Sequence, residues 1–356
     1  MLRPVLNASL TILLCTRCFA AAPSPAPAPT AVTVDSLDAA DLRQALAIIK
    51  NNYVAPAALN ETELNRATMA GLLDRLGRGV MLLPAGRAAP AAAPFYREVI
   101  AGHIGYLRPG RLDKAGVQET DTTLRNFAAQ KVDAIILDLR DCAETNDYAF
   151  AAEFAKRFVP NGKTLFTLRG PGAKQERVFT SNQEPVYDGF IILLVDGETA
   201  GAAEAVAGAL RFYDKAIAIG ETTAGRAVQY SDLPLPSGKI LRVAVAAAVL
   251  PDERVCFPEG MKPDLPVAMS REAKHQIFQS SLTNGMAPFV FENDRPHLNE
   301  AALLAGTTPE IEAAQQAQQR HAGGGEKPAL HDAPLQRAVD LITSIDVYQK
   351  QPGHAP

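Results

Sequence analysis

Short apolar runs alternate along the chain with stretches whose apolar residues recur every three or four positions. The runs read as strands buried in a sheet and the periodic stretches as helices laid against it, so the pattern predicts an α/β core. It is clearest from Ile191 to Tyr213. There Ile191–Val195 reads as a buried strand and Asp196-Gly197-Glu198 as a turn. Thr199 then reads as the cap of a helix carrying Ala202, Ala203, Val206, Ala207, Ala209 and Leu210. Strand, sharp turn and helix N-terminus form the frame on which α/β enzymes mount a nucleophile or an oxyanion site. Here the frame lacks that chemistry, because no Ser, Cys or Lys lies between Asp196 and Arg211.

The same reading extends in both directions. Residues 36–83 hold two helical stretches that form a hairpin. One is Ser36–Asn52, with Leu37, Leu42, Leu46, Ile48 and Ile49 on or near one face; the other starts at Asn60 or Glu61 and carries Leu64, Met69, Leu72, Leu73 and Leu76. Residues 84–100 open with an Ala/Pro-rich stretch and read as a connector. The core spans 101–270, with strands at His103–Leu107, Ala134–Leu139, Thr164–Leu168, Val178–Thr180, Ile191–Val195, Ala216–Ile219 and Ile240–Ala246. Between them, one helix starts at a cap on Thr120 or Asp121 and reaches Ala129, and another covers Ala149–Phe158. Residues 271–331 form an extension with helical character at 271–280 and 302–317 and a flexible HAGGGEK run at 321–327. A last helix lies within 332–349.

Composition narrows the class. Arg3, the apolar stretch Val5–Leu14 and the small residues after Phe19 make 1–22 read as a signal peptide, too short for a stable membrane span, and 23–35 as a Pro/Ala-rich linker. Export to the periplasm or beyond is the expectation. The formal charge of −4 includes Arg3 and Arg17 of that leader, so the remainder is more acidic still, which excludes a nucleic-acid backbone binder. Cys15 and Cys18 fall in the leader, leaving Cys142 and Cys256, whose pairing in an oxidising compartment the sequence leaves open. The six histidines are scattered and the glycines of 220–225 lack phosphate-loop spacing, so neither a metal nor a cofactor is expected.

Several segments, in order, resemble the S41 family of serine peptidases, the carboxyl-terminal processing or tail-specific proteases. Residues 37–84, ending GVMLLP, resemble the family's N-terminal helices, and AGHIGYLR at 101–108 its strand entering the core. Residues 134–145 resemble its DLR segment, 191–210 its nucleophile segment, 220–238 its GETTxGK segment, FPEGMKPD at 257–264 its closing signature and 332–345 its last helix. The resemblance implies a ClpP/crotonase-like α/β core with an N-terminal helical hairpin and C-terminal helices. It also implies serine-type proteolysis, from which this sequence departs. The family's TASASE-like segment places the attacking serine where Gly201 stands, and its lysine base falls on Arg226. A glutamine four residues further on falls on Tyr230, with Gln229 displaced by one, and the paired oxyanion glycines are replaced by Glu144 and Thr145. Residues 84–100 are also far too few for the PDZ domain that active members commonly carry there.

Glycine has no atom to form an acyl intermediate, and arginine stays protonated where a lysine can be tuned to act as a base. The expectation is therefore a catalytically inactive peptidase homologue that holds a peptide or protein in its groove. Arg226 is expected to grip a carboxylate, Glu204 or a peptide C-terminus, with Thr199 and Gln229 as further groove candidates. Thr199 reads more simply as a helix cap, Cys142 as a structural or disulfide cysteine, and Asp264 as the pin of a turn. Two alternatives stay open: an active serine endopeptidase with displaced catalytic residues, and a structural protein that binds through the helical hairpin.

Overall fold

The computed structural model describes residues 34–55, 59–86, 93–172, 176–290 and 330–349. The expectations for the leader, the 302–317 helix and the 321–327 run fall outside them. The chain divides into two units, 1–69 and 70–356. In the first, helix α1 (Ala39–Asn52) begins at Asp38, whose carboxylate accepts hydrogen bonds from the Ala40 and Asp41 backbone N–H groups. Its apolar residues Leu42, Leu46, Ile48 and Ile49 are exposed, so the face expected to pack stays open. Helix α2 (Glu61–Leu76) crosses the division and also buries no residue.

The second unit is built on two sheets. The larger has the order β11 (Leu265–Pro266), β8 (Ala216–Gly220), β7 (Phe190–Val195), β4 (Ala134–Asp138), β3 (Ile104–Arg108), β2 (Tyr96–Ile100). All neighbours are parallel except β2 and β3. Helices α3 (Lys114–Ala129), α4 (Tyr148–Ala155) and α5 (Ala202–Phe212) lie in the crossovers, as parallel strands require. Strand alternation divides the apolar residues between two cores. Ile135, Leu137, Ile191, Leu193 and Val195 pack with α3, α4 and α5. Ile136, Ile192 and Leu194 pack with α6 (Arg271–Asn284) and α7 (Ala333–Gln349). Burial on both faces is why these strands appear in the sequence as continuous apolar runs.

The smaller sheet is antiparallel. In it β10 (Ile240–Val249) pairs with β9 (Val228–Pro234), with β1 (Val80–Leu83) and with β5 (Thr164–Arg169), which carries β6 (Glu176–Thr180). Residues 80–83, assigned by sequence to the end of the hairpin, thus form a strand, as do residues 96–100 of the expected connector. Helix α3 also starts earlier than expected. Asp113 accepts from the Gly116 N–H at 2.8 Å, while Thr120 sits inside the helix and donates to the Gly116 carbonyl at 2.7 Å.

A buried ionic cluster fastens α6 and α7 to the C-terminal ends of the parallel strands. Arg140 makes two-pronged contacts to Asp138 (2.9 and 2.6 Å) and to Asp332 (2.9 and 2.8 Å), and all three are fully buried. Tyr106 Oη donates to Asp138 at 2.7 Å. Lys274 of α6 donates to the Arg140 carbonyl, Asp196 and Glu198 at 2.9, 2.5 and 2.6 Å. Burial opposes the ionised form of Asp138 most strongly. The Arg140 charge and the hydrogen bonds from Arg140 and Tyr106 outweigh it and hold the carboxyl below its usual value.

Arg140→Ala leaves two buried carboxylates without their cation and should cost about 3–5 kcal/mol in urea unfolding. Because the native carboxyl of Asp138 is held low, its contribution is complete above the unfolded value of about 4 and is lost as pH falls through the lower native one. Wild-type unfolding midpoints should therefore drop below about pH 4, and a drop equally large in the Arg140→Ala protein would remove this cluster as its cause.

Candidate active site

The turn from β7 to α5 is held by its own polar residues. Asp196 Oδ1 accepts from the Glu198 and Thr199 N–H groups at 2.9 and 3.1 Å. Thr199 Oγ1 accepts from Asp196 N–H at 3.1 Å and donates to the Leu139 carbonyl at 3.2 Å, tying the turn to the end of β4. Thr199 is fully buried and its hydroxyl is spent on these contacts, so it is neither the helix cap nor a groove contact. The cap is Gly201, at φ +62° and ψ −127°. This is the strained conformation of a strand-to-helix elbow, open to glycine and costly for other residues. A Cβ on Gly201 would lie 3.2 Å from Glu144 Cγ and 3.2 Å from the Thr145 carbonyl oxygen. The Glu144 side chain thus occupies the space over the elbow.

Beneath the elbow lies Glu204, fully buried in a helix of small apolar residues. One carboxylate oxygen accepts from Thr223 Oγ1 at 2.5 Å and Gly225 N–H at 2.7 Å; the other accepts from Gly201 N–H at 3.1 Å and Arg226 N–H at 2.7 Å. Burial pushes the Glu204 carboxyl above its usual range, and the four donors pull against that shift. Glu204 thereby fixes the elbow and the 220–226 loop to each other. Met261 N–H donates to Thr223 Oγ1 at 2.8 Å, and Arg78 donates to the carbonyls of Ala224 and Pro258, which closes the loop against residues 258–261. At Gly225, φ is +63° and a Cβ would lie 2.1 Å from the Pro258 carbonyl oxygen, so only glycine fits.

Arg226 reaches a carboxylate, but its ionic partner is not Glu204, which it meets through the backbone N–H alone. Its Nε lies 3.2 Å from Glu144 Oε1, with both side chains about one third exposed, and that nitrogen makes no aligned hydrogen bond. Glu144, Thr145, Gly201 and Arg226 are therefore brought together. Tyr230 is close by: Glu144 and Arg226 both act on it, and burial pushes its phenol up to about 12. Its hydroxyl donates to the Arg78 carbonyl at 2.8 Å, and its backbone N–H and C=O pair with the Asn146 side chain at 3.1 and 3.2 Å. Gln229 points the other way, as alternation along β9 requires, into a cavity of about 310 Å³ with Leu168, Glu176, Arg177 and Val245.

Cys142 and Cys256 are both free and buried, so the disulfide left open by the sequence does not form. Each packs as a small apolar residue in the same core. Burial pushes both thiols up to about 12, which keeps them protonated and unreactive near neutral pH. Asp264 pins β8 by accepting from Ala218 N–H at 2.8 Å and pairing with Arg211. Asn146, Tyr148 and Arg78 had no assigned part in the sequence-derived site, and Glu204 entered it only as a candidate partner for the Arg226 guanidinium. The visible signal for Glu204 was a lone acid in a helix of Ala, Val, Gly and Leu.

Glu204→Gln turns an amide NH₂ toward donors that have no other acceptor, and should cost about 1–3 kcal/mol of stability. Gly201→Ala should cost a similar ~1–3 kcal/mol through backbone strain. Thermal unfolding at neutral pH checks both; unchanged midpoints would contradict the geometry described.

Comparison with known proteins agrees with this frame. The model of peptidase family S41 matches residues 103–267. A carboxyl-terminal-processing protease of Synechocystis sp. is 28% identical over 176 residues, 49% of this chain and 40% of that protein. The chloroplastic carboxyl-terminal-processing peptidase 1 of Arabidopsis thaliana is 26% identical over 161 residues, 45% of this chain and 33% of that protein. The chain thus matches two fifths or less of these relatives' lengths. Among solved structures, a putative peptidase from Parabacteroides merdae superposes with a TM-score of 0.48 at 17% identity, covering 61% of this chain and 79% of that one. In its 103–267 segment the chain is thus similar to peptidase family S41, and the strands and helices of that segment build an α/β core.

Proposed function

We propose that the chain is a catalytically inactive S41 homologue, exported from the cytoplasm, that holds extended peptide or protein segments without cutting them. The observation that carries this reading is the elbow itself. It has the backbone shape of a nucleophile turn, yet its apex is Gly201 and the space above is filled by Glu144. Glycine offers no acyl acceptor. Arg226 is ion-paired with Glu144, and a guanidinium is no substitute for a lysine base. Loss of the nucleophile alone costs on the order of 10⁶ in kcat in a serine hydrolase.

The backbone offers a way to hold a peptide. Among the described residues β9 pairs with β10 alone, leaving its other edge without a strand partner beside the site. The Asn146 amide already bonds that strand's Tyr230 N–H and C=O, much as a neighbouring strand would. Strand addition recognises main chain and tolerates varied sequence, which suits unstructured protein segments.

Incubation of the purified chain with casein and unstructured peptides should yield no new fragments by mass spectrometry. The Gly201→Ser, Arg226→Lys double variant should stay close to inactive, because Glu144 and Thr145 still replace the oxyanion glycines and the serine side chain would press on Glu144. Reproducible cleavage by the wild-type chain would overturn the reading in favour of an active endopeptidase with displaced catalytic residues.

A further inference from the structure

The ion pair over the elbow is poorly made. A well-seated arginine–carboxylate pair shares two short, aligned hydrogen bonds. Arg140 meets Asp138 and Asp332 in that way inside the same unit. Arg226 Nε lies 3.2 Å from Glu144 Oε1, and that buried nitrogen has no aligned acceptor among the described residues. Ion pairs as exposed as this one are held weakly. A second polar group nearby is also unsatisfied. The hydroxyl of Tyr148 is buried with no hydrogen-bond partner among the described residues, although the carboxylates of Glu204 and Glu144 both act on it. Glu144 therefore fills the space over Gly201 without satisfying the groups around it.

From this geometry we infer that the space over Gly201, closed on one side by Arg226, is a carboxylate-binding site in which Glu144 is a displaceable resident. A carboxylate borne by a bound peptide takes the Arg226 guanidinium in two-pronged contact while Glu144 swings out to solvent. The absent side chain at Gly201 then serves binding, since a larger residue would fill the volume the carboxylate enters. The inference rests on the peptide-binding reading and narrows it to peptides carrying a carboxylate at this point. That carboxylate comes either from a free C-terminus or from an acidic side chain.

Glu144 competes with the ligand, so apparent affinity is reduced by the fraction of molecules in which it is seated. If it is seated in about nine molecules of ten, removing it tightens binding about tenfold. The test is fluorescence anisotropy on the full chain with a fluorescein-labelled, unstructured octapeptide of Ala, Ser, Val and Leu. The peptide is used in three forms: free acid, C-terminal amide, and amide with one internal Glu. The free acid should bind at least tenfold tighter than the plain amide. Glu144→Ala and Glu144→Gln should each tighten the free acid about tenfold and leave the plain amide unchanged. Arg226→Gln should erase the difference between acid and amide.

Recovery of affinity by the internal Glu assigns the ligand to acidic side chains, and no recovery assigns it to the C-terminus; both agree with the inference. Equal binding of acid and amide to wild type and to both Glu144 variants overturns the carboxylate site and leaves main-chain binding standing. Absence of binding by every peptide to every protein overturns the peptide-binding reading, and the site with it.

Discussion

A single buried carboxylate holds the site together. Glu204 lies in the interior with no arginine or lysine side chain among the described residues bonded to it, and four donors from two separate segments converge on it. A carboxylate is costly to bury unless its lone pairs are filled, so the cost of leaving any donor out is high. That constraint sets the position of Gly201, the path of residues 223–226 and, through Thr223, the contact with Met261. The shape of the elbow is thus maintained by a group that needs no nucleophile and no base. In this frame the groups that fix the backbone are different from the residue at the apex of the elbow.

The same separation holds one layer further out. The Arg140 cluster ties α6 and α7 to the ends of β4 and β7, and Lys274 extends it to the turn at Asp196 and Glu198. Buried ion pairs are weak sources of net stability but unforgiving of a missing partner. Here they make the far end of the chain necessary to the geometry of the β7–α5 turn. Around the elbow the interactions are softer: a one-third-exposed ion pair, an unbonded tyrosine hydroxyl and a strand edge held by a side-chain amide. Rigid surroundings and a loosely filled centre suit a surface that binds by replacing its own contacts.

What the sequence made legible follows from the same physics. Strands β4 and β7 are apolar on both faces and could be read directly, and α5 followed from its small-residue run. Strands β2 and β9 could not, because edge strands tolerate charge and proline; YREVI carries charged residues, and VQYSDLP a charge and a proline. The start of α3 was misplaced because Thr120 looks like a cap, whereas a threonine inside a helix can donate to the carbonyl four residues back. At the site, the gathering of Gly201, Glu144, Thr145 and Arg226 was legible from the resemblance. The partner of Arg226 was not. The sequence pairs residue types, and it cannot say that Glu204 would take the arginine's backbone N–H while Glu144 faced its guanidinium.

The central claim is that no activated nucleophile remains in this frame. Intact-mass spectrometry after treatment with a fluorophosphonate tests it most directly, since these reagents add covalently to an activated serine, whatever its position. The account predicts an unshifted mass at concentrations that fully label an active serine peptidase run in parallel. A stoichiometric adduct mapping to a hydroxyl beside the Gly201 elbow would contradict it.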